Sequence, residues 1–279
     1  MDWRQNEQTF NALRVVNTGV KNLTFDFTYS NRVHRVYGQD SPQGTYAGDM
    51  YLGNVGYQTP FGKLTAFTYL LSFDPITRFP GLMAAAAAPL NPARGSTSTS
   101  GGRFVGAQQV GPVKLGYNLS YAIQHQRQDN PVQFSNSYYL GELSAGIGSL
   151  LLTAGDEVMQ GNGTIGFATP LATTHRFDGW ADKFLTTPPN GLKNRYGSVA
   201  YQWKNVGPLQ NIAATAIYRS FAAERVDVNY GSEWDCQVSA KWARWVGSLI
   251  YADYSAVVST PIAIARDTKK LFAQLEYIW

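Results

Sequence analysis

The sequence has little charge, a single cysteine and no long apolar run, and each shortage excludes a class of protein. Only 15% of its 279 residues are charged, well below the roughly 25% of a typical soluble domain. Cys236 is alone, so no intramolecular disulfide can form. The best candidate for a membrane helix, residues 81–90, is far shorter than the roughly 18 apolar residues that such a helix needs. We therefore expect neither a disulfide-rich domain nor an α-helical membrane protein.

Clustered positive charge is also missing. The net charge is +4, and the Lys and Arg residues are scattered along the chain, unlike the basic patch of a nucleic-acid-binding protein. We expect no nucleic-acid partner. The first residues, MDWRQNEQTF, contain neither a basic segment nor an apolar segment of a secretory signal. The protein is therefore either cytosolic or given without its beginning.

Apolar residues recur at every second position in several segments, which predicts two-faced β-strands. In NLTFDFTYSNRV, the apolar or aromatic residues that alternate with polar ones are Leu23, Phe25, Phe27, Tyr29 and Val33. The same pattern occurs in VKLGYNLSYAIQ and in YGSEWDCQVSAKW. Ten further segments have a β-rich composition bounded by Gly, Pro and Asn: 9–16, 49–59, 63–73, 102–110, 133–144, 149–159, 191–204, 211–221, 245–256 and 269–279. The sequence thus predicts about thirteen strands.

Strand length and loop length favour a membrane barrel over a soluble sandwich. Several predicted strands are about 10 to 13 residues long, which suits a tilted membrane crossing. Short and long connections alternate along the whole chain, as they do between the periplasmic turns and extracellular loops of a transmembrane barrel. We therefore predict an all-β fold, an antiparallel transmembrane β-barrel that forms a single domain over residues 1–279.

The chain ends on LFAQLEYIW, an alternating strand with a terminal aromatic residue. Such an end resembles the assembly signal of bacterial outer-membrane proteins, which makes the barrel-assembly machinery an expected partner. Aromatic rings are favoured at the two membrane interfaces. We predict an interfacial row at the rim with the short turns, formed by Trp203, Trp242, Trp245, Tyr277 and Trp279.

Thirteen strands do not suit a bacterial single-chain barrel, in which the number is even. The odd number and the lack of a signal peptide have one common explanation, a missing N-terminal portion. We expect a fragment that lacks the signal peptide and the first strands.

Two segments carry a resemblance to a known family. WRQNEQTFNALRVVN near the start and FATPLATTHRFDGWADKFLTTPPNGLKNRYGSVAYQW from Phe167 to Trp203 resemble the alginate-export family of outer-membrane β-barrels and its porin-like relatives. The resemblance covers essentially the whole chain, and the second segment is the more specific one. It implies a barrel of about eighteen strands with a polar lumen, of which about five would be missing.

Motifs of catalysis and cofactor binding are weak. GNGTIG matches the dinucleotide pattern G-x-G-x-x-G, but no helix is predicted after it. The sequence has no G-x-S-x-G or H-E-x-x-H motif, and its three histidines are far apart. We expect no enzyme, no cofactor, no catalytic residues and no metal site.

Three functions remain open for a barrel in the bacterial outer membrane. The first is passive passage of small hydrophilic solutes or ions, the second is export of an anionic polysaccharide such as alginate, and the third is a barrel-borne enzyme. The expected partners are outer-membrane lipid and the transported solute. The loop 161–191 is far longer than ordinary loops. We predict that it folds over or into the pore, anchored by Trp180 and its aromatic neighbours; the alternative is a loop that packs outward on the barrel rim or against a neighbouring subunit. The candidate pore or constriction residues, of both charge signs, are Arg32, Arg176, Asp178, Asp182, Lys183, Arg219, Glu233, Asp235 and Lys241.

Overall fold

The fold was determined from a computed structural model, which describes residues 8–38, 40–41, 43–75, 91–128, 130–175, 177–257 and 264–279. Apart from a short 3₁₀ helix at Pro92–Gly95, the named elements are β-strands. They are β1 (Thr9–Asn17), β2 (Leu23–His34), β3 (Thr45–Thr59), β4 (Gly62–Phe73), β5 (Thr97–Val110), β6 (Val113–Gln126), β7 (Ser135–Ile147), β8 (Leu150–Met159), β9 (Leu192–Val206), β10 (Leu209–Ala222), β11 (Asn229–Trp242), β12 (Trp245–Ala256) and β13 (Thr268–Tyr277). The thirteen predicted strands are confirmed.

All thirteen strands form one sheet in which each is next to its neighbours in sequence. Five of the hairpins are closed by only two residues, at 60–61, 111–112, 148–149, 207–208 and 243–244. Gly111, Gly148 and Gly207 are the first turn residues and have φ of 58°, 59° and 59°. A positive φ at this position is typical of the type II′ turn, which matches the twist of paired strands and favours glycine. The connections at the other ends of the strands are longer, as the sequence predicts.

The described residues divide into two compact units. The first comprises the described residues within Met1–Phe104, Ser120–Ser137 and Phe167–Ala172, and the second comprises those within Val105–Leu119, Tyr138–Gly166 and Thr173–Trp279. The long loop between β8 and β9 contributes residues to both. In each unit we call the sheet face against which this loop packs the loop-facing face, and the opposite one the outer face.

In the second unit, the outer face is apolar and the loop-facing face is polar. On β11, the outer face carries Trp234, Val238 and Trp242, each more than half exposed. The alternate residues Glu233 and Asp235 are buried. Burial of the polar set and exposure of the apolar set is the reverse of a soluble protein. It is the arrangement of a barrel strand between lipid and lumen.

A β-bulge in the first unit corrects one predicted face. The sequence pattern places Val33 on the same face as Phe25 and Phe27, but the pairing of β1 with β2 skips Asn31, because Asn11 lies opposite Arg32 and Ala12 opposite Ser30. An extra residue in one strand moves all later side chains to the other face. Val33 therefore joins the buried cluster of Met50, Leu71 and Phe73. Arg32 is exposed on the opposite side.

The predicted aromatic row lies at the end of the second unit that has the two-residue turns. Trp242 and Trp245 are paired across their hairpin, and Trp245 is also paired with Tyr277. The rings of Trp245 and Tyr277 are 4.8 Å apart, and those of Tyr277 and Trp279 are 5.2 Å apart. Trp203 lies near the turn at 207–208, with its ring 4.6 Å from that of Tyr201. Within the described residues, no helix is long and apolar enough to cross a membrane.

Candidate functional site

The long loop between β8 and β9 is fixed to the polar face of the sheet, and this makes it the candidate site. In the first unit, the side chain of Gln124 on β6 forms hydrogen bonds with both backbone polar groups of Ala168 in the loop. Its amide nitrogen donates to the Ala168 carbonyl at 2.9 Å, and its oxygen accepts from the Ala168 amide at 2.7 Å. Leu171, three residues later, packs against the apolar cluster around Met50.

In the second unit, Phe184 is the apolar anchor of the loop. Its ring lies 4.5 Å from that of Phe221, 5.7 Å from that of Tyr230 and 6.0 Å from that of Tyr254. The side chain is 1% exposed. Burial of a phenylalanine stabilises a packed state by about 1.5 to 3 kcal/mol. Phe184 is one of the aromatic neighbours of Trp180 that the sequence analysis names as anchors, and Trp180 itself contacts the sheet through its backbone amide.

Two carboxylates of β11 accept hydrogen bonds from the loop backbone. The Glu233 Oε1 atom accepts from the amide of Ala181 at 2.7 Å, and the Asp235 Oδ1 atom accepts from the amide of Trp180 at 3.3 Å. Gly179 lies directly against Glu233 with a φ of 94°, and a Cβ there would be 2.6 Å from the carboxylate oxygen Oε2. Only glycine combines this backbone conformation with so close an approach.

Arg219 on β10 joins the sheet to the loop from the adjacent strand. Its Nε donates to the Asp235 Oδ2 atom at 2.9 Å, and its Nη1 donates to the Phe177 carbonyl at 2.6 Å. Both side chains of this ion pair are buried, with exposures of 5% and 0%. The Asn194 amide from β9 also donates to the Phe177 carbonyl, at 2.9 Å, and to the Asp178 carboxylate, at 3.0 Å.

A second group of charges lies where the loop meets β13. Asp182 contacts His175 Nδ1 through one carboxylate oxygen, at 2.5 Å, and Lys270 Nζ through the other, at 2.6 Å. Lys183 donates from Nζ to the Thr268 hydroxyl at 2.8 Å, and its ammonium lies 5.3 Å from the centre of the Tyr254 ring. Positive and negative groups thus alternate over a short stretch of the loop.

The protein environment changes the proton affinities of these loop side chains. Burial, followed by repulsion from Glu157, raises the pKa of Asp178 well above its usual range. Burial also acts on Asp182, but the hydrogen bonds from His175 and Lys270 outweigh it and lower the pKa of this carboxyl. Burial and repulsion from Lys270 lower the pKa of the Lys183 ammonium. Burial thus favours the neutral form of Asp178, whereas the hydrogen bonds from His175 and Lys270 favour the anionic form of Asp182.

The structure brings together most, but not all, of the predicted pore residues. Six of them meet in the loop or on the strands beneath it: Asp178, Asp182, Lys183, Arg219, Glu233 and Asp235. Arg32 does not belong to this group, because the bulge in β2 turns it to the exposed face. Lys241 shares the face of Asp235 but lies six residues further along β11, about 20 Å away. Arg176 lies outside the described residues.

Sequence reasoning missed several polar residues that complete this site. Asn194 contacts the carboxylate of Asp178, and Tyr138 donates from its hydroxyl to the buried Glu157 at 2.7 Å. A period-two pattern can assign Asn194 and Tyr138 to a face, but it cannot show which loop atom they meet. Among the described residues, no group of three or more His, Cys, Asp or Glu side chains is arranged to hold a metal ion.

Solved structures with similar folds come from bacterial outer membranes. The match to the outer membrane protein OpdK of Pseudomonas aeruginosa covers 99% of this chain and 70% of the OpdK chain, with a TM-score of 0.68 and 14% identity. OccAB2 of Acinetobacter baumannii matches 98% of this chain and 68% of its own, also with a TM-score of 0.68 and 14% identity. OccK3 (OpdO) of P. aeruginosa covers 100% of this chain and 72% of its own, with a TM-score of 0.65 and 13% identity. The chain has the fold of outer-membrane porin barrels.

Sequence comparison adds no family to this fold. No protein-family model matches the chain, and no curated protein matches it. The resemblance to the alginate-export family therefore stays a prediction. What the comparisons show is the fold of an outer-membrane porin barrel.

Proposed function

We propose that this protein is a channel of the bacterial outer membrane for the passive passage of hydrophilic solutes or ions. The observation that carries the proposal is the packing of the loop between β8 and β9 on the polar face of the sheet. An inward-folded loop is one of the ways in which porin-type barrels narrow or plug their lumen. Outer-membrane lipid would contact the apolar outer face, and the barrel-assembly machinery would insert the strands.

The charges of the site support a constriction rather than an inert plug. Asp182 and Lys183 lie on the loop, and Lys270 lies on β13. The Lys270 side chain is 30% exposed. Charged side chains at the narrowest point of a pore determine which ions pass. The loop therefore both narrows the path and presents charge of both signs to the solute.

Single-channel recording in planar bilayers tests this proposal. Phe184→Ala empties the aromatic pocket and should loosen the loop, with an increase in conductance or in its fluctuations. Phe177→Ala is a matched control in the same loop, because that side chain is 58% exposed. Deletion of residues 168–186 should raise conductance further. A closed barrel without steady conductance would contradict a channel function, and equal conductance of all variants would place the loop outside the path.

One structural neighbour suggests a first solute to examine. OpdK of P. aeruginosa has been solved with vanillate. Addition of vanillate to one side of the bilayer should reduce the current if this channel has a similar solute range. An unchanged current would show that this protein does not bind vanillate in its pore, although it shares the fold of OpdK.

Export of an anionic polysaccharide such as alginate is the alternative channel function. A pore for a polyanion is expected to be lined mainly by Lys and Arg. Here Arg219 is paired with Asp235, and Lys270 with Asp182, which favours the passive solute channel. Strong anion selectivity in bilayers, with block by alginate oligomers, would favour export instead.

We further propose that the protein is not an enzyme and that its complete barrel contains about eighteen strands, as the family resemblance implies. β1 and β13 each have one neighbour in the described sheet, whereas a membrane barrel has no free edge. Hydrolysis of lipid or peptide by the purified protein would contradict the first part. A cryo-electron microscopy structure of the full-length protein would test the strand number.

A further inference from the structure

The outer face of the second unit has two rows of aromatic side chains. The upper row contains Tyr218 and Trp234, which are paired across β10 and β11 with rings 5.0 Å apart. The lower row contains Trp242, eight residues further along β11. This spacing corresponds to about 26 Å along the strand, or roughly 20 Å across a bilayer at the usual tilt, close to the apolar band of a membrane barrel. Between the rows, the outer residues of β11 are Cys236, Val238 and Ala240.

Basic side chains lie directly beyond the upper aromatic row. Gly197 of β9 is paired with Tyr218, and Arg195 and Lys193 follow on the same face towards the long loops. Lys193 is paired with Ala222 at the end of β10. These side chains are therefore at the depth of the lipid headgroups, on the side of the sheet that faces lipid.

The basic side chains line a groove together with the connection between β10 and β11. The groove has a volume of about 480 Å³, and Lys193, Arg195 and Arg225 contribute its positive charge. Val226 and Val228 also line it and are 38% and 37% exposed. A groove with cationic and apolar walls at a membrane interface suits an amphipathic ligand.

Three carboxylates, those of Asp156, Glu224 and Asp227, lie at or near the three basic side chains of the groove, and within the described residues only Asp156 forms an ion pair with one of them. Arg195 forms an ion pair of 3.2 Å with Asp156, but the two side chains are 71% and 50% exposed, and such surface pairs contribute little. Within the described residues, Lys193 and Arg225 form no ion pair. Glu224 and Asp227 also line the groove, and Glu224 accepts a hydrogen bond from Gln160 at 3.4 Å. Arginine and lysine are well suited to bind phosphate oxygens in such a place.

We propose that this groove binds the phosphate-bearing headgroup of an outer-leaflet lipid, with Lys193, Arg195 and Arg225 on the phosphate and Val226 and Val228 beside the acyl chains. The inference rests on the proposed location in the outer membrane. The ion pair of Arg195 with Asp156 is exchanged for one with the lipid phosphate. The lipid would then hold the connection between β10 and β11 against the rim of the sheet.

Native mass spectrometry of the full-length protein in detergent tests the lipid site. Bis-phosphorylated lipid A should bind at least about ten-fold more tightly than the same lipid after dephosphorylation, a difference of about 1.4 kcal/mol. The triple variant Lys193→Gln, Arg195→Gln, Arg225→Gln should lose this preference. Lys269→Gln is the matched control, since Lys269 lies exposed on β13 and is paired with Asp253.

Equal binding of the two lipids by the unmodified protein would overturn the proposal without any variant. Displacement of the lipid by millimolar inorganic phosphate alone would identify a site for free phosphate and would overturn the lipid assignment. Planar-bilayer conductance of the same preparations separates this inference from the channel. Conductance without lipid preference contradicts only the groove, and lipid preference without conductance contradicts only the channel.

Discussion

The Glu233 carboxylate on β11 accepts a hydrogen bond from the backbone amide of Ala181 at 2.7 Å. This contact joins β11 to the long loop, and both residues are buried, with exposures of 1%. A buried amide in a loop has no strand partner and must find another acceptor. The strand supplies that acceptor with a polar side chain, which is why a polar sheet face can hold a loop without a large apolar core.

Gly179→Ala should loosen the loop. A methyl group at this position would lie 2.6 Å from the Glu233 carboxylate, in a backbone conformation with φ of 94°. Such strain costs on the order of 1 to 3 kcal/mol, and the chain can relieve it only if the loop moves off Glu233. Limited proteolysis of the protein in detergent should therefore cleave the variant faster between residues 173 and 186.

Gly141→Ala provides the control for this prediction. Gly141 has open space around its Cβ position and no positive φ, so the substitution should leave the cleavage rate unchanged. Identical cleavage of the Gly179 variant and the original protein would mean that the loop is not held by its contact with Glu233.

Arg219→Met should destabilise the second unit strongly. The change removes the partner of Asp235, which has no exposed side-chain surface, and leaves a buried carboxylate without its counter-charge. Breaking a buried pair on one side typically costs about 3 to 5 kcal/mol. Urea unfolding from lipid vesicles, followed by tryptophan fluorescence, measures the change.

Two further variants separate the buried pair from ordinary charge loss. Arg219→Met combined with Asp235→Leu should recover part of the lost stability, because no unpaired charge remains. Arg14→Met removes a pair whose arginine is 64% exposed, and we expect only a small loss of stability, because exposed ion pairs contribute little. Equal losses for Arg14 and Arg219 would contradict the buried pair.

Asp178→Asn should reduce the pH dependence of stability. Because burial raises the pKa of this carboxyl, its neutral form contributes stability that is fully present below the unfolded pKa and is lost as the pH rises through the folded pKa. The original protein should thus lose stability as the pH rises above the unfolded pKa of about 4, by at most about 1.4 kcal/mol per pH unit from this group.

The asparagine side chain stays neutral and retains an oxygen that can accept from Asn194. The stability of the variant should therefore fall less over the same pH range, as measured by urea unfolding at each pH. Asp156→Asn, at a half-exposed position, serves as control and should preserve the original slope. A steeper slope for Asp178→Asn would show that the carboxyl is needed as an anion.

The sheet could be predicted from the sequence because its signals are local. Alternation along a strand, glycine in tight turns and loop length are all properties of neighbouring residues, and they placed thirteen strands correctly. The loop contacts are not local. Phe184 and Phe221 are far apart in the chain, and nothing in the pattern distinguishes Phe184 from Trp180 as the anchor. The bulge that changes the faces of Arg32 and Val33 likewise depends on the register of β2 with β1.

Val238→Arg and Gln237→Arg test the assignment of the two sheet faces. Val238 is 51% exposed on the outer face, between the aromatic residues Trp234 and Trp242. Gln237 lies on the opposite face, the loop-facing one, together with Asp235. An arginine near the middle of the bilayer costs about 2 to 4 kcal/mol on the lipid face and far less towards a lumen. Val238→Arg should therefore lower the free energy of unfolding from lipid vesicles by that amount, while Gln237→Arg should change it little.

Equal losses would contradict the register, and a larger loss for Gln237→Arg would reverse the two faces. Because the residues are adjacent on one strand, the comparison keeps depth, backbone pairing and the introduced side chain nearly constant, so that only the direction of the side chain differs.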